Sequence, residues 1–132
     1  MPPEAPTEQG LDTTWNDDQP IYRQLMAEIV SWILEGRLKD GDPLPSIRAI
    51  ASQYNINPLT ASKAYQELSS IDVLERKRGI GLFIRQGARS RLMRAEKQKF
   101  LKEDWPQIVR RMRQMGLEPA DLVEQLREDE AE

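Results

Sequence analysis

The side chains best equipped for chemistry in this chain suit a polyanion rather than bond cleavage. Arg48, in the run Leu44-Pro45-Ser46-Ile47-Arg48, can fork onto a phosphate with two parallel N–H bonds. Asn57, Thr60 and Ser62 are short donors and acceptors for base edges or phosphates. Between them Pro58 opens a helix, Leu59 can touch a thymine methyl, and Lys63 adds a point charge. Arg76, Lys77 and Arg78 then run into Gly79-Ile80-Gly81, where bare backbone can approach another surface closely. Arg78 beside Gly79 suits a narrow minor groove of enhanced negative potential.

What is missing narrows the function as much. The 132 residues contain no histidine and no cysteine. The commonest general base, the commonest metal ligand, thiolate zinc sites and cysteine nucleophiles are therefore all absent. An enzyme is not expected, nor a cofactor or a metal. The net charge of −3 speaks against nucleic acid until its distribution is followed. Residues 1–19 hold five acids and no base. From Arg76 to Lys102 ten bases face Glu96 alone, whereas from Glu118 to Glu132 seven acids face Arg127. Local field rather than net charge governs contact with a phosphate backbone. No run approaches the ~20 apolar residues of a membrane span, and the N-terminus has no secretory pattern. A cytoplasmic protein is expected.

Three helices must position these groups. Tyr22, Leu25, Met26, Ile29, Trp32 and Ile33 follow helical spacing from Pro20 to Gly36, with Ile21, Val30 and Leu34 broadening the stripe. Turn residues occupy 37–45, and Ser46 caps a second helix with Ile47, Ile50, Ala51 and Tyr54 on its core face. Asn55 tolerates the left-handed conformation that ends a helix, and Ile56 plugs the turn. Asn57 then caps a third helix with Pro58 at its first position and Ala61, Ala64, Tyr65, Leu68 and Ile71 facing inward. Val73–Arg76 and Leu82–Arg85 read as strands of a hairpin joined by the glycine-tipped loop.

Beyond Gly87 the period is helical again. Leu92, Met93, Phe100, Leu101, Ile108, Val109, Met112 and Met115 share a face up to Gly116. Trp105-Pro106 is expected to break or kink the helix, because proline lacks a backbone donor. Pro119 opens a last helix with Leu122, Val123 and Leu126 facing inward. These helices are too short to hide their apolar faces alone, so symmetric pairing is the natural solution. The expected dimer interface is Leu92, Met93, Phe100, Leu101, Trp105, Ile108, Val109, Met112, Leu122 and Leu126. The methionines fit interface packing better than a ligand pocket.

The Leu44–Arg48 run, the third helix from Asn57 to Leu68 and the glycine-tipped hairpin together resemble the GntR family of bacterial transcription regulators, and its YtrA subfamily in particular. The resemblance is continuous from about Pro20 to Ile84. It implies a winged helix-turn-helix in which Ser46 and Arg48 meet the DNA backbone. The start of the third helix would enter the major groove, and the wing, with Arg76, Lys77, Arg78, Gly79 and Gly81, the adjacent minor groove. It also implies that the C-terminal segment serves dimerisation. Three positions depart from the family pattern. Leu59 stands where a polar residue is commoner, Ser62 where other branches have arginine, and Lys63 where arginine is commoner. Direct readout should therefore be sparse, and affinity should lean on the wing and the phosphate contacts.

The expected fold is mainly α with a small β-wing. Residues 1–19 form a disordered acidic tail, 20–86 a winged helix-turn-helix, and 87–132 a helical dimerisation segment. The expected partners are double-stranded operator DNA and a second copy of the chain, with no membrane. A small effector is left open, since no pocket is legible. The competing reading is a winged-helix module for protein partners that does not bind DNA; the bases of the wing and the polar front of the third helix speak against it. The run from Arg89 to Lys102 reads first as a solvated helix face and only second as auxiliary DNA contact. Trp15 reads as packing on the domain surface near the first helix, and Trp105 as a core residue.

Overall fold

The computed structural model describes residues 15–131, and the elements follow in the order helix, helix, helix, hairpin, then helices. α1 spans Ile21–Leu34, α2 Ile47–Tyr54 and α3 Pro58–Ser70. β1 (Leu74–Lys77) pairs antiparallel with β2 (Gly81–Ile84), Leu74 opposite Ile84 and Lys77 opposite Gly81. α4 (Ala88–Lys99), a π-helical turn (Phe100–Asp104), α5 (Trp105–Met115) and α6 (Pro119–Ala131) complete the chain. It is a mostly helical fold with a two-stranded wing. It divides into two compact units, one up to Met93 and one from Arg94 onward. Most of the acidic tail, residues 1–14, lies outside the described residues.

In the first unit α1 packs on α3, and α3 on α2 and β1. Leu25, Ile29, Trp32 and Ile33 of α1 are completely buried, as are Ile50, Ala61, Ala64 and Leu68. A large aliphatic side chain buried in this way contributes about 1.5–3 kcal/mol. Glu35 ends α1, and Gly36 follows at φ +83°, where a Cβ would be strained. The amides of Arg37 and Leu38 fold back onto the Trp32 carbonyl. Pro20 takes the cap position of α1 rather than a helical one. Trp15 packs its ring against Tyr54, centroids 5.5 Å apart, and Tyr54 stacks on Trp32. Ile71, expected on the core face of the third helix, is 54% exposed, because the helix has ended and Asp72 turns the chain away at φ +62°.

Segment 41–44 does more than turn. Gly41 and Leu44 donate backbone N–H bonds to Ile84 and Leu82 at 2.7 and 2.9 Å, and Ile84 donates to Asp42 at 2.8 Å. Pro43, which has no N–H to offer, bridges Phe83 at the edge. The hairpin thus gains a third extended partner and is no longer an isolated ribbon.

Asp40, in the same loop, caps α4 from 47 residues away. Its carboxylate accepts from Gly87 N at 2.8 Å and from Arg89 N at 3.3 Å. Arg89 and Arg91 return bonds to the carbonyls of Leu34 and Asp72. The start of α4 is tied to the first unit in this way, with Ala88 buried in its core. Asp40→Ala is expected to cost about 1 kcal/mol, the usual worth of a lost cap; urea unfolding followed by circular dichroism measures it.

Around Pro106 the helix runs on. Lys99, Asp104 and Trp105 all keep right-handed helical torsions, and the Trp105 amide reaches the Phe100 carbonyl five residues back. The wider π turn makes room for a ring that would clash with a carbonyl one α turn back. Of the expected break or kink, the break does not occur, and the chain passes through a single π turn. Gly116 at φ +71° then ends α5.

Candidate nucleic-acid interface

Local chemistry holds several of the expected contact residues of the first unit. Ser46 caps α2, its Oγ accepting from Ala49 N at 3.0 Å. The hydroxyl proton remains available to donate outward. Arg48, the second residue of α2, is exposed and has no ion pair among the described residues. Pro45, fully buried, anchors this run, and its carbonyl accepts from the Tyr65 hydroxyl of α3 at 2.8 Å. Burial, with Tyr54 nearby as the smaller cause, holds the Tyr65 phenol above its usual range, so it stays protonated and keeps donating. The run leading into α2 is thus tied to α3 by a buried bond.

Asn55 joins them at φ +55°, the left-handed conformation that asparagine tolerates. Asn57 caps α3 through Oδ1, which accepts from Leu59 N at 2.8 Å. Its amide group is left to donate. Pro58 fills the first helical position, and no acid occupies the first turn. The positive end of the α3 dipole therefore faces outward without a carboxylate. Leu59 is 77% exposed there, Thr60 and Ser62 are half-buried, and Lys63 is exposed. The Lys63 ammonium rests 4.4 Å from the centroid of the Tyr22 ring.

In the wing Arg76, Lys77 and Arg78 are all exposed. The Lys77 ammonium lies 4.6 Å over the Phe83 ring, which stiffens it. The tip closes with Ile80 N donating to Lys77 O at 2.9 Å, and Gly79 takes φ +76°, the third-position torsion for which such a turn requires glycine. Ile80 was not singled out in the sequence, yet it is 73% exposed at the tip; its place between two glycines was the available signal. Ser46, Arg48, the front of α3 and the wing come from one folded unit.

The segment from Leu92 onward carries the remaining candidates. Of the ten expected interface residues only Met112 is buried, while Leu92, Met93, Val109 and Leu122 are partly so. Phe100, Leu101, Ile108 and Leu126 are exposed, and so, at 40%, is Trp105, which is therefore not the core residue expected. Val123 and Leu126, expected to face inward, are exposed in the single chain because α5 alone is too narrow to cover them. An apolar groove of about 760 Å³ opens between α5 and α6, lined by Trp105, Val109, Met112, Leu122 and Leu126 among others. Among the described residues no group of acids could hold a metal ion, and no helix is long and apolar enough to cross a membrane.

Residues 21–84 match the model of the bacterial regulatory proteins of the gntR family. The transcriptional repressor YtrA of Bacillus subtilis (strain 168) is 35% identical over 113 residues, 86% of each chain. A crystal structure of a transcriptional regulator from Oenococcus oeni superposes with a TM-score of 0.68 at 28% identity, covering 91% of this chain and 98% of that one. The DNA-binding domain of AraR, solved with operator ORX1, superposes at a TM-score of 0.51 and 26% identity over 55% of this chain and 92% of that one. With a relative matched over nearly its whole length and the family's motifs folded as a winged helix, the chain belongs to the GntR family of bacterial transcription regulators.

Proposed function

We propose that this regulator is a dimeric repressor that occupies a pseudo-palindromic operator and occludes transcription, its own operon included. The observation that carries the reading is the row of unneutralised donors and cations across α2, α3 and the wing. Ser46 and Arg48 bind the DNA backbone, and Asn57, Pro58, Leu59, Thr60, Ser62 and Lys63 present the front of α3 to the major groove. Arg76, Lys77, Arg78, Gly79 and Gly81 reach the adjacent minor groove, where the narrow-groove potential favours arginine. The operator-bound AraR domain supports this orientation by its similar fold.

Pairing runs through residues 87–132. Their apolar side chains exceed what α4 to α6 can cover in one copy, and a two-fold contact covers them on both. Two reading helices then address half-sites about one turn, ~34 Å, apart. The protein acts in the cytoplasm, where its DNA is. Neighbouring transporter genes are the expected targets. DNase footprinting on the chain's own upstream region should protect an inverted repeat; no protected repeat there or genome-wide would remove the repressor reading.

A further inference from the structure

Tyr22 stands at the start of α1, outside the helix-turn-helix, yet it organises two cations at the edge of the reading surface. The Lys63 ammonium of α3 lies 4.4 Å from its ring centroid, and the Arg23 guanidinium carbon lies 5.8 Å from the same ring. Arg23 Nε also donates to the Tyr22 hydroxyl at 3.2 Å. That hydroxyl then accepts one bond and keeps its proton to donate. Neither cation has an ion pair among the described residues, although Glu67 stands one turn on from Lys63 and Asp18 and Glu28 each stand five residues from Arg23. Pro20 provides no side-chain cap for α1, and since Arg23 N already donates to Pro20 O at 3.0 Å, the Ile21 and Tyr22 amides are the ones left at the positive end of the helix dipole.

We infer that the start of α1 is an additional phosphate-binding point of the DNA interface, in which the Tyr22 ring positions Lys63 and Arg23 supplies a second cation. The inference rests on the reading of α3 as the DNA-facing helix. Two like charges brought around one ring repel each other in the free protein, and a phosphate between them removes that cost. The amides and the Tyr22 hydroxyl complete a donor set suited to phosphate oxygens. A lysine on a flexible stem loses entropy when it binds, and the ring has already restricted it.

Binding of a long fluorescein-labelled DNA duplex of mixed sequence, followed by anisotropy across a salt series, tests this. Arg23→Ala should lower the slope of log K against log salt by about 0.9, the worth of one phosphate. Tyr22→Phe, which keeps the ring, should hold the Lys63 contribution. Tyr22→Leu should lose at least as much affinity as Lys63→Ala, and the double variant less than the sum of the two losses, since the ring acts in part through Lys63. An unchanged slope in Arg23→Ala, or additive losses in the pair, would overturn the inference. Thermal melting of each variant separates a folding defect from a lost contact, and Arg23, fully outside the core, decides the matter if Tyr22→Leu melts early. A wild-type chain with no salt-dependent binding would instead sink the DNA reading itself.

Discussion

Removal of residues 94–132 should convert a dimer into a folded monomer whose operator affinity falls by about 10²–10⁴-fold. The magnitude comes from effective concentration: once one reading helix is seated, a linked second one binds intramolecularly. The cut belongs after Met93, because Ala88 and Leu92 pack on the first unit and Asp40 caps α4. A truncation at Gly87 would strip that cap and expose core, so unfolding would be confused with loss of pairing. Every large buried residue of the first unit lies before this cut. Sedimentation velocity measures the assembly, circular dichroism the fold, and anisotropy the affinity. A dimer that survives the truncation would place the interface on the winged helix and reassign Phe100, Trp105, Ile108 and Leu126.

The second large effect is expected from Arg48→Ala. A charge-assisted hydrogen bond to phosphate is worth about 1.5–3 kcal/mol, so affinity should fall about tenfold to a hundredfold. The loss should be similar on operator and on mixed sequence, because a phosphate carries no base identity. The salt slope should drop by about 0.9 as one fewer counterion is released. Arg48→Lys should keep the slope and lose part of the affinity, since it retains the charge without the planar fork. Salt titration of both variants against wild type makes the measurement, and an unchanged slope in Arg48→Ala would take Arg48 out of the backbone contacts. Arg48 is solvent-exposed, and the α2 cap at Ser46 does not depend on it, so folding should be unaffected.

Leu59 and Ile80 bear on specificity. Each is a large apolar group held in water, at 77% and 73% exposure, on an element that otherwise presents donors and cations. Neither position helps the core, and both sit where DNA contact is expected. A thymine methyl is the apolar feature of the major groove, so replacing Leu59 with alanine is expected to weaken any preference for thymine at the base it meets. No arginine lies on the front of α3 to pair with guanine, so affinity is expected to lean on phosphate and wing.

The parts of this protein legible before folding are those whose cause lies within a few residues. Ser46 and Asn57 accept the amides of the next turn, Pro58 needs no N–H, and Asn55 adopts the left-handed torsion; each acts on its own neighbours. The same holds for the glycines of the wing tip and for Gly116, and hence for the order of helices, turn and hairpin. Sequence separation hid the rest. Asp40 caps a helix 47 residues on, segment 41–44 pairs with β2, and Tyr22 meets Lys63 across two helices. Nothing in those residue types names the partner, because a carboxylate, a carbonyl or a ring serves whichever group packing brings to it. At Pro106 a local signal was read correctly as an obstacle to the α-helix, but the remedy depended on the carbonyls available one turn back, and a π turn met it. For α6 the apolar spacing showed a face that must be buried, yet not what covers it. Burial depends on surfaces meeting, and the single folded chain leaves that face, with Val123 and Leu126, open.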